Sequence, residues 1–339
     1  MRIYFKTKNK LSVNSLFNTV LIMFNRIALY VFLLMLLVSC KDQVQKKHVP
    51  SAIDREKIDA AFGKHVSAIM LNHLYIVLDS LSYSSLTKDI GWGKTYGALD
   101  KGLPSFAPID NDTPMCYLRG HKHYIEILGP NNVFNEPVGK SGVGFTLENN
   151  DEHFHLGVKP KLKVENTRFL NATKTVDMEL SNQKETWFKA FYTPSPGTAL
   201  HTWYAFYNPI FLDNLYQKHH PFYSREAFLK PNYANQKLFN GIKLIAMTCT
   251  TDDYIRITQE LYHLGCKLLE KDGHMLSIDG GDIIIKITAS NEVEYSQITQ
   301  IRCHLNRSDD SVTNLGNVTI INKGKESIWN FDNLHKNNF

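Results

Sequence analysis

Two side chains raise the question of chemistry. His73 heads the alternating run Asn72-His73-Leu74-Tyr75-Ile76-Val77-Leu78-Asp79. Neighbouring side chains of a strand point to opposite faces, so His73, Tyr75 and Val77 share one face. Glu126 lies inside Tyr124-Ile125-Glu126-Ile127-Leu128, on one face with Tyr124 and Leu128. A glutamate in such a run is costly to bury without a partner. It therefore binds something, faces water on an edge, or pairs with Arg119 across a hairpin. An imidazole and a carboxylate are also donors for a divalent metal, and His201, at the edge of a later strand, is the candidate third ligand. A catalytic zinc-type site usually takes three protein ligands and keeps one position open. Against this stands the bland reading, in which His73 is a hydrogen-bonded packing residue. Tyr75, Tyr124 and Trp203 are candidates to line an apolar pocket beside the pair.

Other clusters offer less. His121 and His123 flank a turn and are expected to be exposed. His153 and His155, in Asn-Asp-Glu-His-Phe-His, read as the start of a helix, and His219-His220-Pro221 reads as a loop. No G-x-S-x-G elbow and no phosphate-binding loop is present. Asp279-Gly280-Gly281-Asp282 reads as a tight turn, with too few clustered oxygens for calcium.

The elements that must position these residues are mostly short strands punctuated by Gly, Pro and Asn. Strands are expected at Met70–Asp79, Met115–Arg119, His123–Leu128, Gly142–Glu148, Val176–Leu180, Thr186–Tyr192, His201–Tyr207 and Ile242–Cys249. A helix follows the last of these, with Asp252 as its expected cap and Tyr254, Ile257, Leu261 and Leu264 on one face. A hairpin, His274–Ile278 with Asp282–Thr288, comes next. Two further strands fall within 292–321. The order strand, helix, then hairpin recurs, which suggests repeated β-α-β-β-β units. The expected division is a first module at 66–135, a looser middle module at 136–235, a third at 236–325 and a frayed tail at 326–339.

The first forty residues carry Arg2, Lys6, Lys8, Lys10 and Arg26 and no acid, then the apolar run Ile27–Val38. Twelve apolar residues fall short of the about 20 that span a bilayer. Cations, a short apolar stretch and a small residue form a secretory signal pattern. Leu37-Val38-Ser39-Cys40 resembles the lipobox of bacterial lipoproteins, which implies a signal peptide at 1–39, acyl chains such as palmitate on Cys40, and a tether at 40–65. Translation could start at Met1 or Met23. The expected location is the cell envelope, periplasmic or surface-facing, on a membrane through the lipid. The whole chain has 38 cations and 33 acids. Without the signal the charges balance, so no cationic surface for nucleic acid is expected. Cys116, Cys249, Cys266 and Cys303 match no zinc spacing, and could be oxidised or buried thiols.

The residues at 72–79 and 124–126 resemble the glyoxalase/bleomycin-resistance superfamily, the vicinal oxygen chelate proteins. A closer resemblance is to an uncharacterised glyoxalase-like family, carried by Asn72–Asp79, Tyr124–Glu126 and Thr202-Trp203-Tyr204-Ala205-Phe206-Tyr207-Asn208-Pro209. It covers about residues 70–290. The resemblance implies an α+β fold of repeated β-α-β-β-β modules in curved, cup-like mixed sheets, with His73 and Glu126 pointing into the cup as a metal-binding pair. The chain departs from that pattern in its third block, where Lys243 and Lys286 are expected at the matching places. Phe206 and Asn208 stand where relatives would have a carboxylate or histidine. Two expectations follow: a binding module that holds a small molecule in the cup, or a divalent-metal enzyme of isomerase, lyase or dioxygenase type.

Overall fold

The computed structural model describes residues 69–147, 169–170 and 172–334. Cys40, the rest of residues 1–65, and His153 and His155 lie outside the described residues. In chain order the first part contains β1 (Ile69–Val77), α1 (Ser80–Lys88), α2 (Ile90–Thr95), β2 (Ala98–Asp100), β3 (Met115–Arg119), β4 (Tyr124–Leu128), β5 (Ser141–Leu147), β6 (Ala172–Leu180), β7 (Gln183–Tyr192) and β8 (Leu200–Tyr207). Two short helices, α3 (Pro209–Tyr216) and α4 (Arg225–Leu229), then lead to β9 (Phe239–Cys249) and α5 (Thr251–His263). The rest is β10 (Lys267–Asp272), β11 (Met275–Asp279), β12 (Ile284–Ala289), β13 (Gln297–Leu305), β14 (Val312–Leu315), β15 (Val318–Lys323) and β16 (Glu326–Asn330).

Helix boundaries follow from their caps. Asp79 accepts from Ser82 N–H at the start of α1, and Asn208 accepts from Ile210 N–H where Pro209 opens α3. Such side chains satisfy donors that have no partner in the first turn, and proline has no such donor to lose. Helix α5 is capped by Thr250, not by the expected Asp252, which sits in the first turn with Asp253. Both acids still favour the helix from there, facing its positive end.

The strands form two open, curved mixed sheets of eight strands each. The first has the order β2-β3-β4-β1-β5-β8-β7-β6, and the second β10-β11-β12-β9-β13-β16-β15-β14. Each order is mirrored about its centre; in the first sheet the directions match as well, with β1 antiparallel to β5 and parallel to β4, and β5 parallel to β8, whereas in the second β9 is parallel to β12 but β13 is antiparallel to β16. The protein is therefore α+β, as expected, but its division differs from three blocks. Residues 66–135 and 136–235 supply the two halves of one sheet. The chain after β12 supplies a fourth set of strands. Glu326–Asn330, expected to fray, is β16, bonded to both β13 and β15, with Trp329 only 1% exposed.

One core joins the sheets. It contains Leu74, Ile76, Ile125, Ile127 and Phe145 from the first and Ile245, Met247, Ile285, Ile301 and Trp329 from the second. The turn after β3 lies so close to β9 that a Cβ on Gly120 would overlap the Asn240 carbonyl. Cys116, Cys249, Cys266 and Cys303 are all buried free thiols, and burial pushes the first three up to about 12. No described helix is long and apolar enough to cross a membrane.

Candidate functional site

The face of the first sheet opposite that core carries a second cluster, mostly aromatic. Register places Tyr117, Glu126, Tyr75, Gly142 and His201 in one row across β3, β4, β1, β5 and β8. The next row is Arg119, Tyr124, His73, Gly144 and Trp203. The glycines of β5 make the hollow possible. A Cβ on Gly142 would lie 2.6 Å from the Trp203 indole, and one on Gly144 only 2.5 Å from it. Trp203 thus lies flat over β5, with its ring centroid 6.0 Å from that of Tyr75 and 5.3 Å from that of His73.

His73 is held by a β-bulge. Register slips between Leu71 and His73 against β5, which leaves Asn72 as the extra residue. A bulge re-aims side chains, and here Asn72 Oδ1 accepts from Tyr207 Oη at 2.9 Å and sits 2.8 Å from His73 Nδ1. An amide oxygen only accepts, so Nδ1 carries the imidazole proton. Nε2 keeps its lone pair and has no hydrogen-bond partner among the described residues. The ring stacks on Tyr124 at 4.4 Å. Burial lowers its pKa to about 3, so the imidazole is neutral at physiological pH.

Glu126 behaves differently. Tyr117 Oη donates to its Oε1 at 3.1 Å. Arg119, the cation expected to pair with it, is committed elsewhere: its Nε and Nη2 both bond Asp100. Arg119 is also stacked under Phe106, 4.6 Å from the ring centroid. Burial therefore wins over the Tyr117 hydrogen bond and the distant Arg119 charge, and raises the Glu126 carboxyl to about 7. Burial likewise raises the hydroxyls of Tyr75, Tyr117 and Tyr124 above their usual range.

Helices α3 and α4 cover one side of the hollow. Phe228 of α4 lies 6.1 Å from the Tyr124 ring, and Tyr223 just before α4 stacks on Tyr207 at 4.6 Å. This cover is latched to both sheets. Arg225 Nη1 donates to the Leu71 carbonyl at the bulge (2.6 Å) and to Asp282 Oδ2 (2.5 Å). Asp282 Oδ1 accepts from Leu71 N–H at 2.9 Å. His123 accepts from Ile242 N–H through Nδ1 and donates to Asp282 through Nε2. His123, expected to be exposed, is 1% exposed. Its place in a turn suggested solvent, but the second sheet packs over that turn. Asp282 had been read only as part of a turn. Nothing local marks either residue, because their partners lie far off in sequence.

Three sequence expectations take their place in this geometry. His73 and Glu126 are diagonal neighbours on one face of adjacent strands. His201 shares that face but stands on β8, three strands from Glu126. Among the described residues no three His, Cys, Asp or Glu side chains group as a metal site. The two-fold symmetry of the strand order brings Gly142 and Trp203, neither a metal ligand, to the places opposite His73 and Glu126. In the second sheet Lys286 pairs with Ala246 as Glu126 pairs with Tyr75. That register makes Leu244 the counterpart of His73 and displaces Lys243, which pairs instead with Glu326.

Fold and site together define an α+β protein of two open sheets, one of which carries an aromatic hollow with the Glu126 carboxyl on its floor. The chain belongs to the family of unknown function DUF5829, whose model matches residues 71–331. Among curated proteins no sequence match was found. Of solved structures, a hypothetical protein from Staphylococcus aureus is similar at 12% identity and a TM-score of 0.39, over 68% of this chain and 88% of that one. A putative dioxygenase from Bacillus subtilis subsp. subtilis str. 168 is similar at 11% identity and a TM-score of 0.25, over 76% of this chain and 81% of that one.

Proposed function

We propose that this protein is a glyoxalase-like lipoprotein of the bacterial envelope that binds a small molecule in the hollow of its first sheet. One observation carries the binding reading: Glu126 is set among aromatic rings and, among the described residues, has no cation bonded to it. A carboxyl in such a place costs stability, and a ligand that uses it would recover that cost. The mirrored strand order of each sheet supports the repeated-module reading. The anchor rests on Leu37-Val38-Ser39-Cys40. The metal-dependent alternative has the neutral His73 Nε2 and Glu126, but these are two donors where three are usual, so no step is derived through a metal.

Crystals soaked with chemically diverse fragments test the binding reading. Density against Tyr75, Glu126 and Trp203 is expected, and a hollow that takes no fragment overturns the reading. Metal analysis of purified protein and of His73→Ala and Glu126→Ala discriminates the alternative. Stoichiometric metal lost in both variants would establish it. For the anchor, Cys40→Ser is expected to abolish acyl labelling and to move the protein out of the detergent phase. Unchanged partitioning would remove the lipid from the account.

A further inference from the structure

We propose that the ligand of this hollow is an organic cation, with an ammonium head group seated against Tyr75 and Trp203 and Glu126 as its counter-ion. The inference rests on the binding reading above and adds the ligand's chemical class.

The argument is a charge balance inside an aromatic enclosure. Arg119 is neutralised by two bonds to Asp100 in the buried end of the hollow. Lys140 pairs with Glu136. Both His73 and His201 have pKa values lowered, chiefly by burial, and are neutral. Among the described residues, Arg119 is the one cation whose charge acts on Glu126. Among the described residues one negative charge is left over, on Glu126, and the Tyr117 hydroxyl is its side-chain hydrogen-bond partner.

The walls suit a cation as well. Tyr75 and Trp203 are half-buried, so their rings are within reach of solvent, with centroids 6.0 Å apart and planes 30° apart. The face of an aromatic ring is negative and attracts a cation that approaches it, most strongly when water is excluded. Gly142 and Gly144 let the Trp203 ring lie against the strand. A neutral apolar ligand would gain from the same rings but would leave Glu126 buried without a counter-charge. An anion would meet Glu126 as a like charge. A compact ammonium group meets both demands at once.

The test compares choline with its uncharged isostere 3,3-dimethylbutan-1-ol, by calorimetry on the full mature chain in detergent. At about pH 8 choline is expected to bind at least tenfold more tightly than the alcohol. Its affinity should fall roughly tenfold by about pH 6, as Glu126 takes up its proton. Glu126→Gln should abolish the preference, so that choline binds no more tightly than the alcohol. Equal binding of the two probes, or choline binding untouched by Glu126→Gln, overturns the cation and leaves the binding reading standing. No choline binding at millimolar concentration, with fragments still seen in the hollow, has the same meaning. No binding of any probe or fragment overturns both. Stoichiometric zinc or manganese binding lost in His73→Ala and Glu126→Ala replaces the organic cation with a metal.

Discussion

Glu126 and His73 stand within one diagonal step of each other, yet burial acts on them in opposite senses. It disfavours the charged form of both, which lifts the acid to about 7 and lowers the base to about 3. The acid has a consequence for stability. Its folded pKa lies above its unfolded value of about 4.3, so the folded state holds the proton more tightly. Its contribution is fully present below the unfolded pKa and is lost as pH rises towards 7. Glu260, also buried and raised to about 7 by desolvation, acts with the same sign, so the two must be separated by mutation. Glu126→Gln keeps the shape and removes the charge. It is expected to stabilise the protein by about 1–3 kcal/mol at pH 8 and to change little at pH 5, as read by urea unfolding at both. A destabilised variant at pH 8 would mean that the carboxylate has a partner unaccounted for. Tyr117→Phe removes the hydroxyl that favours the charged form. The Glu126 titration, followed by carbon NMR of labelled glutamate, is expected to move upward. A midpoint that stays put would show that the hydrogen bond carries no weight.

At the scale of the element, β5 is the strand on which the hollow depends, through residues that have no side chain. Its glycines lie opposite Tyr75 and His73 and beneath Trp203. Gly144→Ala would place a methyl group within the Trp203 ring, so the ring must shift. The expected cost is about 1–3 kcal/mol, as for other overpacked sites, with loss of the near-ultraviolet circular dichroism that the Trp203–His73 packing gives. Unchanged spectra and stability would show that the indole does not lie where the structure places it. A periodic pattern in the sequence cannot display this arrangement. Gly142 and Gly144 interrupt the alternation of a strand, and read locally as weak points, whereas their reason is a ring that arrives from β8.

For the whole molecule, the Arg225–Asp282–His123 cluster ties the cover of the hollow to the bulge in β1 and to the second sheet. Burial alone pushes the Asp282 carboxyl up, but the His123 hydrogen bond and the Arg225 charge outweigh it and hold the group well below the usual range. Its contribution is therefore present above the unfolded value of about 3.9 and is lost as pH falls through the folded one. Asp282→Ala removes the carboxylate bonded to the nearly buried Arg225 and to His123. The expected loss is about 3–5 kcal/mol near neutral pH, with faster hydrogen exchange at both α4 and β1. Faster exchange in the second sheet alone would mean that the cluster does not couple the cover to the site.

The sequence by itself determined the local features. Val, Ile and Tyr in alternation make β1, β4 and β9. Asp79, Asn208 and Pro209 start helices, and the common face of His73 and Tyr75 follows from the pitch of a strand. Each of these depends on neighbours within a few residues, so each is legible along the chain. Only the tertiary structure decided that Glu126 has a tyrosine and not Arg119 beside it, that His123 is buried, and that β16 completes a sheet. It also brought Trp203 over the glycines of β5. These outcomes depend on register and on contacts between segments, about 60 residues apart for Gly144 and Trp203 and 159 for His123 and Asp282, where the order of strands, not the pattern within any of them, selects the partners.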